Sequence, residues 1–163
     1  IIMKGLLLKY DGDQTKLIKM LSFLDSLEYN FYIAFDDVAS DIKDEFWNVE
    51  SYTSDMAKKM IFHPSSKRYI IALDLFVSKR KNYYDNIETY SDFLNSDYFL
   101  SLHILDGSKL AIFCKNESIL DKIKEIYMQF SLDNMLVKEI ETVPLNIEMA
   151  SYASNSSTCL WTI

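Results

Sequence analysis

Residues 88–130 constrain the fold of this chain more than any other stretch. They read ETYSDFL, YFLSLHIL, DGS and KLAIFC, followed by a long amphipathic run. Thr89 is placed to cap a short helix ending at Leu94, because a threonine oxygen accepts the free backbone N–H groups of a first turn. Residues 98–105 and 109–114 alternate in the manner of strands. Asp106-Gly107-Ser108 joins them in a tight hairpin turn, where glycine enters positive φ at little cost. Asn116 caps a second helix, whose buried stripe is Ile119, Leu120, Ile123, Ile126, Tyr127 and Phe130. A short helix, a hairpin and a longer helix in succession predict an α+β fold, and each cap, turn and stripe is explained by folding alone.

The remaining pattern extends this frame. Residues 3–10 (MKGLLLKY) predict a first strand, broken by Asp11-Gly12. Asp13 stands at the N-cap of a helix over 14–27, in which Leu17, Leu21, Leu24 and Leu27, with Ile18 and Met20, recur at spacings of three and four. Residues 29–35 (YNFYIAF) are aromatic and β-prone, and Asp36-Asp37 is expected to end that strand. Residues 38–66 carry the weakest pattern. Within them, 56–62 fits either a helix end or a short strand, and His63-Pro64-Ser65-Ser66 reads as a turn. Residues 69–77 (YIIALDLFV) form a near-continuous apolar run, as a central strand does, and Lys79-Arg80-Lys81 reads as a solvated loop. Residues 135–140 predict another strand, 154–158 a loose polar segment, and 159–161 an edge strand. The expectation is a single α+β domain over 1–163, with a mixed, mostly antiparallel sheet and two main helices packed on it.

Composition narrows the function. The chain of 163 residues is 49% hydrophobic, enough for a sizeable core. Its three glycines leave no way to write GxGxxG or GxxxxGK[ST], so a glycine-rich phosphate cradle is excluded. A net charge of −7 repels nucleic-acid backbones and anionic lipid surfaces and favours a basic partner. No run of apolar residues is long enough to span a bilayer, and Leu6–Leu8 is too short for the apolar core of a signal peptide. Cys114 and Cys159 do not make a disulfide framework, and Cys114, at the end of an apolar run, reads as a buried thiol. A cytoplasmic location is expected, with neither membrane nor nucleic acid as partner.

One segment has the spacing of a catalytic motif. Asp11-Gly12-Asp13-Gln14-Thr15, directly after Leu6–Leu8, resembles the DxDxT motif of the haloacid-dehalogenase phosphohydrolases. The resemblance implies Asp11 as nucleophile, Asp13 as acid and base, Thr15 as a phosphate contact, and a magnesium ion offsetting the charge repulsion. Gln14 stands where that motif has glycine, and the helical pattern begins at once, without the inserted flap. A strand-turn-helix junction calls for the same residue types. His63 and His103 are the two histidines, and a pairing of His103 with Cys114 as a nucleophile dyad is conceivable. Neither a metal nor a cofactor is expected, since Cys and His are not clustered.

A second constellation suggests contact rather than chemistry. Asp36, Asp37, Asp41, Asp44 and Glu45 precede Phe46 and Trp47, and acids beside aromatics suit a docking face for a basic protein. The same run also fits a solvated helix face with its aromatics turned inward.

Ile87-Glu88-Thr89-Tyr90-Ser91-Asp92-Phe93-Leu94, the hairpin, and Ile112-Phe113-Cys114-Lys115-Asn116 together resemble a small family of uncharacterised proteins from low-GC Gram-positive bacteria. Met3-Lys4-Gly5 and Leu160-Trp161 fit the same pattern, whereas 38–66 do not follow it. The resemblance implies a bacterial cytoplasmic α+β domain and carries over no site. The function expected is therefore a non-enzymatic protein-interaction domain, in concrete form an immunity-type protein that occludes a toxin through an acidic-aromatic surface. The alternative is the magnesium-dependent phosphohydrolase with Asp11 and Asp13. A small-ligand sensor with an aromatic pocket is a third class that the residues neither support nor oppose.

Overall fold

In the computed structural model the chain folds as β1 (Lys4–Lys9), α1 (Gln14–Ser26), β2 (Asn30–Ser40), α2 (Ser54–Ile61), β3 (Arg68–Ser78), α3 (Tyr90–Asn95), β4 (Tyr98–Leu105), β5 (Lys109–Cys114), α4 (Glu117–Gln129), β6 (Val137–Ile140) and a closing 3₁₀ turn, Leu160–Thr162. The structure describes residues 4–11, 14–27, 29–40, 53–62, 68–129, 137–152 and 157–163. The six strands form one sheet in the order β2-β3-β4-β5-β1-β6, with every neighbouring pair antiparallel. This is the α+β architecture expected, and α1 and α4 are its two longest helices.

Period-2 alternation sends the side chains of each strand to two faces. On one face Leu6, Leu8, Leu73, Leu75, Leu100, Leu102, Leu110 and Ile112 pack against Leu17, Met20, Leu21 and Leu24 of α1, Ala57 and Ile61 of α2, and Ile119, Leu120, Ile123 and Tyr127 of α4. On the other face Phe76, Tyr98, Ala111 and Phe113 pack under Tyr90 and Phe93 of α3 and under Ile147, Met149 and Leu160 of the C-terminal segment. Both faces are thus covered, and all eight residues of β4 are buried. The alternation expected in β4 has no solvent side to express. Polar residues on its second face, Ser101 and His103, are in the interior.

Local signals account for the element ends. Thr89 Oγ1 accepts from the Asp92 N–H at 3.3 Å, and Asp92 Oδ2 accepts from the Thr89 N–H at 2.9 Å, a capping box that starts α3. Those amide bonds hold the Asp92 carboxyl below its usual range. Its contribution is present at neutral pH and is lost as pH falls through the lowered value. Asn116 Oδ1 accepts from the N–H groups of Ser118 and Ile119 and starts α4. In the β4–β5 turn both Asp106 (φ 53°) and Gly107 (φ 61°) are left-handed, the pairing that matches the twist of a two-stranded ribbon. Replacing Thr89 by Ala leaves an orphan N–H and is expected to cost about 1 kcal/mol. Thermal unfolding should register this as a midpoint lower by roughly 2–4 °C.

Three expectations need correction. Asp36 and Asp37 do not end β2, which runs on to Ser40. Among the described strands it is an edge, with register shifts at Ile33/Phe35 and Asp37/Val38, and an edge position tolerates charge better than a central one. Leu27 lies beyond the end of α1 and is 52% exposed rather than part of its buried face. Residues 159–161 do not add a sheet strand: Cys159 forms an isolated bridge with Glu148, and the chain then tightens into the 3₁₀ turn. For 56–62, where the pattern allowed two elements, the structure gives a helix, capped by Thr53 Oγ1 accepting from the Met56 N–H.

Candidate functional site

The register of β3 on β4 sets Asp74 directly opposite His103 on the second face of the sheet. The carboxylate accepts from His103 Nδ1 at 2.7 Å. It also accepts from the Ser151 N–H at 3.0 and 3.1 Å and from Ser151 Oγ at 3.1 Å. All three residues are buried, His103 and Ser151 completely. A carboxylate only accepts, so the imidazole donates through Nδ1, leaving Nε2 without a protein partner among the described residues. The ring of His103 lies edge-on to Phe76 at 5.7 Å and tilted to Phe113 at 6.2 Å.

An Asp, a His and a Ser in contact invite comparison with a nucleophilic relay, and the geometry does not provide one. A relay needs the serine hydroxyl on the free nitrogen of the histidine. Here the hydroxyl is bonded to the carboxylate, and the second histidine nitrogen is buried without a partner among the described residues. What the cluster does is mechanical: one carboxylate ties the C-terminal segment to the middle of the sheet. Trp161 Nε1 donates to the Ser151 carbonyl at 3.2 Å and extends the tie.

Among the described residues, the other candidates drawn from the sequence do not form a common site. Asp11 is exposed and paired with Lys16, and Asp13 lies outside the described residues. The strand before them, β1, is antiparallel to both neighbours. Cys114 faces α4, on the opposite side of the sheet from His103, and burial pushes its thiol up to about 11, where it is protonated and unreactive at neutral pH. His63 lies outside the described residues. Asp36 and Asp37 are on the outermost strand, β2; Asp41, Asp44, Glu45, Phe46 and Trp47 are outside the described residues. Among the described residues no group of three or more His, Cys, Asp or Glu could hold a metal, and no helix is long and apolar enough to cross a membrane.

The sequence reading missed a cleft of about 500 Å³ where the start of β2, the start of α2, the end of β3 and the start of β4 meet. Tyrosines dominate it. Tyr32 lies edge-on to Tyr84 at 5.0 Å and nearly parallel to Tyr98 at 6.2 Å, and Tyr83 meets Tyr98 edge-on at 4.8 Å. Asn30, Asn82 and Ser78 supply polar lining. The loop is pinned. Tyr83 OH accepts from the Asp97 N–H at 2.9 Å and donates to Asp85 at 3.2 Å, while Tyr98 OH accepts from the Asp85 N–H at 3.3 Å. Arg80 pairs with Asp97 and sits 5.1 Å from the Tyr83 ring centre. Burial pushes Tyr32 up to about 12 and raises Tyr98 further, so both hydroxyls stay neutral. Tyr84, 63% exposed, is the open wall.

A family model described as "Protein of unknown function (DUF2691)" matches residues 3–143. The chain belongs to this family. The DUF2691 match takes in the tyrosine cleft, Asp74 and His103, and includes 38–66. It stops short of Ser151 and of Leu160-Trp161, so the Asp74 clamp joins the family portion to residues beyond it. No curated protein and no solved structure matches the chain.

Proposed function

We propose that this DUF2691 chain is a non-catalytic domain that binds a basic protein through its tyrosine cleft. The observation carrying the reading is the run of ring contacts from Tyr84 through Tyr32 and Tyr98 to Tyr83 around an open cleft. Aromatic faces attract Lys and Arg side chains, and tyrosine anchors are enriched where proteins meet. The cleft is pre-organised by its hydroxyl bonds, which lowers the ordering cost of binding. The chain's −7 charge adds long-range attraction for a cationic partner. Asp36 and Asp37 stand on the strand that opens the cleft, and the acidic residues Asp41, Asp44 and Glu45 with Trp47 follow it in the chain. An immunity-type inhibitor of a basic toxin is one concrete form of such a domain. The resemblance to proteins of low-GC Gram-positive bacteria supports a bacterial cytoplasm as its location, as do two buried cysteines that form no disulfide.

Peptides selected from a random display library at low salt are expected to be enriched in Arg and Lys. For a selected peptide, Tyr84→Ala should weaken binding about tenfold, the equivalent of one cation–π contact of about 1.4 kcal/mol. Selection of neutral or acidic peptides, or an affinity indifferent to Tyr84→Ala, would remove the basis of this reading.

A further inference from the structure

The other half of the sheet carries a second cleft, of about 420 Å³, built by β5, β1, β6 and the 3₁₀ turn. Lys9 of β1 and Lys109 of β5 are direct cross-strand partners, so their side chains leave the same face side by side. Lys138 of β6 stands opposite Leu7 and therefore diagonal to Lys9 on that face. Leu7, Ser108 and Trp161 complete the lining. Like charges placed directly opposite in an antiparallel pair are destabilising. A chain with 24 acidic against 17 basic residues has acids to spare, yet among the described residues Lys9 and Lys109 make no ion pair. Lys138 Nζ donates to the main-chain oxygen of Ile163 at 3.3 Å. The indole of Trp161 is held in place by its bond to Ser151.

We propose that this cleft binds a small organic anion, a carboxylate or phosphate attached to a flat apolar group. The volume is that of a small-molecule site. Two unneutralised ammonium groups, with a third beside them, receive the anion, while Leu7 and the Trp161 ring take the apolar part. Binding converts the cross-strand repulsion of Lys9 and Lys109 into attraction toward a shared charge. The site is separate from the tyrosine cleft, so the two can fail independently.

Isothermal titration calorimetry at low salt with 1-naphthoate and 1-naphthyl phosphate tests it, with 1-naphthol and inorganic phosphate as partial probes. At least one naphthyl anion should bind, and both partial probes should bind at least tenfold more weakly. Lys109→Gln should weaken the naphthyl anion at least tenfold while leaving the thermal midpoint equal or higher, because a like-charge contact has been removed. The midpoint shows that lost binding is not lost folding. Equal binding of 1-naphthol, absence of binding by both naphthyl anions, or unchanged affinity in Lys109→Gln would overturn the proposal.

Discussion

Replacing Asp74 by Ala is expected to destabilise the chain by about 3–5 kcal/mol, the range for removing one partner of a buried charged cluster. The carboxylate is the shared acceptor for the His103 ring and for both the N–H and hydroxyl of Ser151. Its loss strands three buried donors at once, and each retains its desolvation cost without a bond. For a chain of this length the thermal midpoint should fall by roughly 6–20 °C. Amide exchange at Ser151 and the emission of Trp161 should change with it, because both depend on the C-terminal segment staying docked. Asp74→Asn keeps the shape and one acceptor oxygen and should lie between wild type and Ala. A midpoint unchanged in Asp74→Ala would mean that the cluster holds nothing together.

The second large effect is expected at Gly5. A methyl group there would lie 2.7 Å from Cδ1 and 2.8 Å from Cε1 of Phe113, and 3.2 Å from the Ile112 carbonyl oxygen. Gly5 and Phe113 are cross-strand partners, and the missing side chain is what lets the phenyl ring lie over β1. Phe113 is completely buried against Tyr90 and His103 and cannot swing into solvent. Overpacking of this kind costs about 1–3 kcal/mol, so Gly5→Ala should lower the denaturant midpoint without changing the slope. Phe113→Leu in the same chain gives the methyl room, and the double variant should be less destabilised than the sum of the two singles. Strict additivity would show that the contact is not the cause.

These two sites mark where the sequence stops being readable. Features that depend on near neighbours were legible: the Thr89 box, the Asn116 cap, the Asp106-Gly107 turn and the leucine spacing of α1 all involve residues a few positions apart. Features that depend on register were not. Asp74 was a visible anomaly, a single carboxylate inside YIIALDLFV, but its meaning required knowing that β3 pairs with β4 so as to place it opposite His103, 29 positions away. The tyrosine cleft gathers residues 32, 83, 84 and 98 from β2, the loop after β3 and β4, and in the sequence each looks like an ordinary strand or loop aromatic. Gly5 likewise looks like any glycine in an apolar strand until Phe113 is set across from it. Asp36-Asp37 misled in the opposite sense, because two acids read locally as a strand end while an edge position accepts them.

The most direct test of the binding account is a nitrogen–proton correlation titration with a basic peptide selected at low salt. Tyr32, Asn82, Tyr83, Tyr84 and Tyr98 should show the largest shifts, fading as salt is raised. Shifts concentrated away from these residues, or none at saturating peptide, would contradict it.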